Sequence, residues 1–384
     1  MGGGGIARVV YIIVLAILVL LLCFFKYYNY FIDESNSELI LAIYPLGLSF
    51  FVFSCISYLT DVLKGYIENI YTVREICLYL FFFPKLLQGP IEKADKFLMD
   101  LKSVHTINRA NFVEGMQIFL FGLIKKLVIA DRLGLFVDTV YSSPISYDGG
   151  TLLLLVITYP VQLYCDFSGY SDMAIGVSKV LGYNLSENFN LPFASGSVTE
   201  YWRRWHVTLG NWFKEYVYIP LGGNRVGKNR QILNLLVVWI LTGVWHGSTW
   251  SFLIWGLYNF AIVIFEKMTN IPQKIPRFYR VVTLILVAIG WIWFRSPNIS
   301  TAIMILKGIV QWKVGITYIY TWALIYVALT AVITCIGYKR NTGTWKYLIL
   351  DMSKFASKLV ICITVIMTLI LMYVGNNYFL YFNF

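Results

Sequence analysis

The chain has 384 residues, of which 58% are hydrophobic, 17% aromatic and only 13% charged. Soluble domains carry about 25% charged residues, and a single soluble core stops growing near about 250–300 residues, so composition excludes a soluble globular protein and predicts many membrane spans. The net charge of +11 does not point to nucleic acid, because the basic residues lie in short segments between apolar runs, where the positive-inside bias puts them.

The first apolar run, within "MGGGGIARVVYIIVLAILVLLLCFFKYYNYF", is followed by bulky Phe24, Phe25 and Tyr27 and not by a small-residue cleavage site. It reads as an uncleaved span and not as a signal peptide. The opening glycines do not make a myristoylation signal, since Ile6 stands where Ser or Thr is needed. Further apolar runs follow, so that the full set is 9–25, 39–60, 74–90, 113–130, 151–165, 231–246, 248–265, 281–295, 316–337 and 359–374. A bilayer core asks for about 20 residues, so the shorter runs imply tilted or re-entrant pieces buried by protein or lining a cavity. The expectation is an all-α polytopic membrane protein, residues 1–384 forming one bundle of about ten or eleven spans plus re-entrant and interfacial helices.

Segment 91–112 mixes Lys93, Lys96, Lys102 and Arg109 with Glu92, Asp95 and Asp100, which predicts an interfacial helix and loop with His105 exposed. Basic residues also crowd 200–230, 266–280 and 339–358. The first two flank 231–265, which predicts a helical hairpin with both ends on the cytoplasmic side and "TGVWHGSTW" at its tip. The six cysteines show no CxxC or Cys/His spacing, so neither a metal site nor a disulfide framework is expected.

Two of the three histidines fall in the aromatic polar clusters "YWRRWHVTLGNW" and "LTGVWHGSTW": His206 beside Trp205, and His246 beside Trp245. Ionisable groups at membrane depth are costly, and histidine titrates near neutrality, which suits proton transfer. The alternative stands beside it: a histidine bonded to a neighbouring helix, with interfacial tryptophans. No nucleophile elbow, P-loop or dinucleotide loop is present, and no paired carboxylates suit glycoside chemistry.

Six stretches together resemble the membrane-bound O-acyltransferase (MBOAT) family, in its bacterial alginate and peptidoglycan O-acetyltransferase-like branch. They are "YPLGLSFFVFSCISYLTDV" (44–62), "FFPKLLQGPI" (82–91), "YCDFSGYSDMAIGVSKVLGYNLSENFNLPF" (164–193), "YWRRWHVTLGNWFKEYVYIPLGGNR" (201–225), "LTGVWHGSTWSFLIWGLYN" (241–259) and "YFNF" (381–384). The resemblance implies a ring of helices around a thinned centre, where a tunnel joins a cytoplasmic donor to an outside acceptor. It implies that His246 is the catalytic histidine and His206 a second functional one. Family members usually carry further helices before "FKYYNYF" (25–31), so the resemblance also implies a start shortened or divergent relative to the family.

"IPLGGNR" (219–225) sets the chain apart from the teichoic-acid D-alanyltransferase relatives and implies acetyl transfer to an exported polysaccharide or peptidoglycan. The donor would be acetyl-CoA or another acyl thioester, with no tightly bound cofactor. An extracytoplasmic SGNH-type protein would be the partner, and a bacterial cytoplasmic membrane the location. D-alanyl transfer to teichoic acid and non-enzymatic acyl transport are the alternatives, although transport predicts inverted repeats that the chain does not show. Within this reading His246 is the general base, and Trp205, Asn211 and Trp245 are pocket walls. Arg203 and Arg204 either meet donor phosphates or anchor lipid headgroups. Asp166 and Asp172 serve as structural hydrogen-bond or helix-cap residues, or else support the site.

Overall fold

The computed structural model describes residues 3–27, 47–103, 107–340, 349–373 and 375, so His105 and the closing "YFNF" lie outside the described residues. Among those residues the chain is a helical bundle. The first helix, α1 (Gly3–Tyr27), packs against α2 (Leu48–Leu63). The apolar run 74–90 does not become one span. Helix α3 (Val73–Leu80) opens on a capping box between Thr72 and Glu75 and stops after eight residues, and a single turn, Phe83–Leu86, follows. Pro84, with no N–H to donate, breaks the helix there, as hydropathy alone does not foresee. The interfacial segment contains α4 (Ala94–Leu101).

Helix α5 (Arg109–Leu123) passes through a π-helical stretch, Ile124–Ala130, into α6 (Asp131–Ser142). Helix α7 (Gly149–Val180) runs 32 residues, capped by Asp148, whose carboxylate accepts from Thr151 N at 2.7 Å. It continues well past the expected apolar run 151–165, through the polar "CDFSGYSD". Two features make that continuation possible. First, α5 and α7 touch backbone to backbone: a Cβ on Gly176 would lie 2.5 Å from Gly115 O, and one on Gly122 would lie 2.5 Å from Gly169 O. Small residues allow such close approach between membrane helices. Second, the charges of α7 are neutralised. Lys126 reaches Asp166 at 2.7 Å and Asp131 at 2.8 Å, while Lys125 reaches Asp172 at 2.6 Å. Asp166 and Asp172 therefore stand mid-helix in ion pairs, which corrects the helix-cap alternative for both.

Two short helices follow, α8 (Val198–Arg204) and α9 (Val207–Phe213). Helices α10 (Lys228–His246) and α11 (Trp250–Thr269) form the hairpin the basic segments predicted, with 247–249 at its tip. Buried Glu266 of α11 accepts from the N–H groups of Val198 and Thr199 at 2.7 and 2.8 Å, fastening α8 to the hairpin by its free amide end. The chain ends its described part with α12 (Pro276–Arg295), α13 (Ile299–Val310), α14 (Thr321–Arg340) and α15 (Phe355–Leu371).

Among the described residues, four helices are long and apolar enough to cross a membrane, namely Gly5–Tyr27, α7, α11 and α12; α2, α13, Thr321–Ile336 and α15 are shorter apolar helices. The rims of α1 and α15 expose aliphatic side chains such as Ile12, Leu20, Ile366 and Ile370, as a lipid-facing surface requires. This is a multi-pass membrane protein. Its core gathers along α7, α9, α10 and α12, and the candidate site lies inside it.

Candidate functional site

The site grows from a short ribbon. Residues 188–190 run antiparallel to 204–207: Asn190 N donates to Arg204 O and Val207 N to Asn188 O, each at 2.9 Å, with Phe189 bridged to Trp205. His206 lies inside this pinch. Its backbone is left-handed, φ 46° and ψ 53°, a conformation that costs a non-glycine residue about 1–3 kcal/mol and that persists where the surroundings impose it. The imidazole is buried. Its Nδ1 lies 2.8 Å from Asn188 Oδ1, the edge of Phe167 meets it at 4.6 Å, and Phe50 stacks at 6.3 Å.

His246 is the last residue of α10, also buried, and stands in an aromatic cage of Trp245 (4.6 Å), Trp255 (5.1 Å) and Phe294 (5.0 Å). The hairpin brings it there because Gly243 and Gly256 let α10 and α11 approach: a Cβ on Gly256 would lie 2.5 Å from Trp239 O. Lys26 of α1 donates to Trp245 O and lies over the indole, placing a cation at the carbonyl end of α10, where the helix dipole favours it.

Helix α2 joins the two histidine segments. Phe50 contacts both His206 and Trp245, the latter at 6.3 Å, and Phe53 stacks between Trp212 (4.1 Å) and Trp245 (5.1 Å). Trp212 is locked in turn, its Nε1 donating to Ser57 Oγ at 2.9 Å. The structure thus collects His206, His246 and Trp245 around one aromatic seam. Trp205 backs the seam, stacked on Tyr201 at 5.6 Å and against Trp291 at 4.9 Å.

The remaining expected residues separate. Exposed Arg203 lines a cleft of about 1050 Å³ with Lys214, Arg225 and Lys267. The acidic residues lining it, Glu200 and Glu266, are already engaged, by Arg204 and by the first turn of α8. The cleft is therefore electropositive. Arg204 is not free to join it: Nε and Nη2 donate to Glu200 Oε1 at 2.9 and 2.7 Å, and Nη1 donates to Asn190 O at 3.3 Å. Asn211 lines a second cleft of about 570 Å³, together with Lys93, Lys96, Val207 and Thr208, so this opening reaches the residues directly after His206. Asp166 and Asp172 flank Phe167 on α7 and are held by Lys126 and Lys125.

Sequence reasoning did not single out Asn188, Phe50, Phe53 or Lys26. Phe50 and Phe53 carry a usable signal, an i, i+3 aromatic pair, but aromatic residues are so common here that nothing marks these two. Asn188 stands 18 residues before His206, and only the ribbon turn brings them together.

The profile of MBOAT, the membrane-bound O-acyltransferase family, matches residues 11–306. The chain is 38% identical over 299 residues to the probable alginate O-acetylase of Pseudomonas syringae pv. tomato, covering 73% of this chain and 56% of that protein. It is 34% identical over 325 residues to the peptidoglycan O-acetyltransferase of Helicobacter pylori, covering 75% and 62%. It is also 29% identical over 231 residues to a teichoic acid D-alanyltransferase of Streptococcus thermophilus, covering 56% and 54%. The chain thus spans between 54% and 62% of the length of these relatives.

Proposed function

The chain belongs to the membrane-bound O-acyltransferase family, and from that premise we propose that it passes an acetyl group from a cytoplasmic thioester to an extracytoplasmic hydroxyl. The donor is acetyl-CoA or a related acyl thioester. The acceptor is an exported polysaccharide or peptidoglycan, reached directly or through an SGNH-type partner outside the membrane. Residues 1–384 act as one membrane domain in the cytoplasmic membrane of a bacterium. The observation that carries this reading is the pair of buried, tryptophan-flanked histidines on either side of Phe50. The electropositive cleft with Arg203 and the opening beside Val207 and Thr208 support a donor side next to His206.

Acyl transfer needs a deprotonated nucleophile and a way to return the proton. In this mechanism His246 takes the proton from the acceptor hydroxyl as its oxygen attacks the thioester carbonyl. The tetrahedral intermediate collapses with C–S cleavage, and the proton passes to the leaving thiolate. General-base help of this kind is worth on the order of 10²–10⁴-fold. His206 serves the donor side as the second functional histidine. Arg203 meets the donor's phosphates, and Trp205, Trp245 and Asn211 wall the path. Arg204, Asp166 and Asp172 support the site through their ion pairs. The higher identity to acetyl-transferring relatives than to the D-alanyltransferase supports acetyl as the group transferred.

The test is donor-resolved. Membrane vesicles carrying the protein receive labelled acetyl-CoA on the cytoplasmic face, with acceptor glycan and an SGNH-type protein outside. Label in the glycan or the outer protein is expected. Transfer supported only by a carrier-protein thioester would favour the D-alanyl alternative, and transfer without any histidine dependence would favour passive acyl transport.

A further inference from the structure

The acyl-transfer reading leaves open which nitrogen of His206 does chemistry, and the surroundings of Asn188 decide it. Asn188 is 1% exposed and its carboxamide faces several groups. Oδ1 lies 2.9 Å from Thr208 Oγ1, 3.4 Å from Thr208 N and 2.8 Å from His206 Nδ1, while Nδ2 donates to Ser171 Oγ at 3.4 Å. A backbone N–H can only donate, so the carboxamide atom facing Thr208 N must be the oxygen. Thr208 Oγ1 agrees: it accepts from Ile91 N at 3.1 Å, which leaves its own proton to donate to Oδ1. With the oxygen so oriented, the only hydrogen bond available at 2.8 Å is one in which Nδ1–H of His206 is the donor.

The geometry points to Asn188 as a positioning residue that holds neutral His206 in its Nδ1–H tautomer, so that Nε2 is the ring nitrogen carrying the lone pair. Resting on the acyl-transfer reading, His206 then meets its substrate as a base or hydrogen-bond acceptor through Nε2, and the group it engages carries an O–H, N–H or S–H. A third group that fixes the ring of a proton-transfer histidine is the recurring logic of activated sites. Here the third group is neutral, so it orients the ring without adding a charge. The same residue also holds the backbone, since Asn188 O accepts from Val207 N at 2.9 Å, and a side-chain substitution leaves that bond in place.

The test is nitrogen-resolved NMR on protein labelled with ¹⁵N-histidine and reconstituted in lipid nanodiscs above neutral pH. The three histidines give three ring systems, and His206→Gln identifies the one that disappears. His206 is expected to carry its proton on Nδ1; a proton on Nε2 overturns the proposal without any variant at Asn188. Asn188→Leu removes the acceptor and is expected to abolish the Nδ1–H preference and lower acetyl transfer on the order of 10-fold or more. Asn188→Asp keeps an acceptor oxygen and is expected to retain the tautomer and recover transfer relative to Asn188→Leu. A wild-type tautomer in Asn188→Leu also overturns the proposal. The tautomer is read without turnover, so wild-type protein that transfers no acetyl yet shows Nδ1–H counts against the acyl-transfer reading alone.

Discussion

Replacing Lys126 by methionine removes the cation that Asp131 and Asp166 share at 2.8 and 2.7 Å. The three side chains are 6%, 7% and 1% exposed, so water does not replace the lost partner. Breaking a buried pair from one side costs about 3–5 kcal/mol, because the orphaned charge stays desolvated. Asp166→Asn should cost less, since Lys126 retains Asp131. The double variant Lys126→Met, Asp166→Leu should recover part of the loss, because it takes away one of the two buried carboxylates that Lys126 pairs. At about 1.2 °C per kcal/mol for a chain of this size, Lys126→Met should lower the unfolding midpoint by about 4–6 °C. The assay is thermal unfolding of detergent-solubilised protein followed by tryptophan fluorescence, with size-exclusion elution as the check on folding. An unchanged midpoint in Lys126→Met, or a double variant worse than either single one, would refute the claim that this network holds the π-helical stretch against α7.

Gly176→Leu should force α5 away from α7, since even a Cβ there comes within 2.5 Å of Gly115 O; overpacking costs about 1–3 kcal/mol, read as reduced yield and a lower midpoint. Arg203→Gln should raise the KM for the donor with little change in kcat, whereas Arg204→Gln, which breaks the contacts to Glu200 and Asn190, should show first as lost stability. Phe50→Ala should open space between His206 and Trp245 and lower kcat at nearly unchanged donor KM, measured by initial rates. The hydrogen bonds that Thr317 and Thr151 donate hold the Asp148 carboxyl below the usual carboxylate range. Its folded form is the more acidic, so its tether to the 316–318 segment persists above that range and is lost as pH falls through the depressed value; hydrogen exchange around Thr317 should rise only at strongly acid pH.

Membrane class was legible because a charged fraction of 13% leaves no other way to solvate so much apolar surface. The α10–α11 hairpin was legible because charge asymmetry acts on short loops, which hydropathy and basic residues reveal together. The break in 74–90 was not. That run carries only Arg74, Glu75 and Lys85 as charges and still averages as apolar, and its end is decided by Pro84 and by packing against α7, which hydropathy does not weigh. The length of α7 was hidden for the opposite reason. Asp166 and Asp172 look like a helix end in a hydropathy reading, and only the lysines 40 and 47 residues away make them tolerable inside. The histidines announced themselves by rarity and by the motifs around them. Their company did not: Phe50, Asn188 and Lys26 reach the site across 156, 18 and 219 residues of chain, and such contacts are properties of the fold. The two arginines illustrate the same limit. Adjacent in sequence, Arg203 and Arg204 point to different partners because α8 turns successive side chains onto different faces.

The central claim is that the buried histidine at the tip of the α10–α11 hairpin performs acyl transfer. The direct measurement is acetyl incorporation into the acceptor glycan by membranes carrying His246→Ala, compared with wild type at matched membrane levels and matched size-exclusion profiles. Transfer should fall by on the order of 10²-fold or more with the protein still folded in the membrane. Acetylation that survives the substitution at near wild-type rate would contradict that claim.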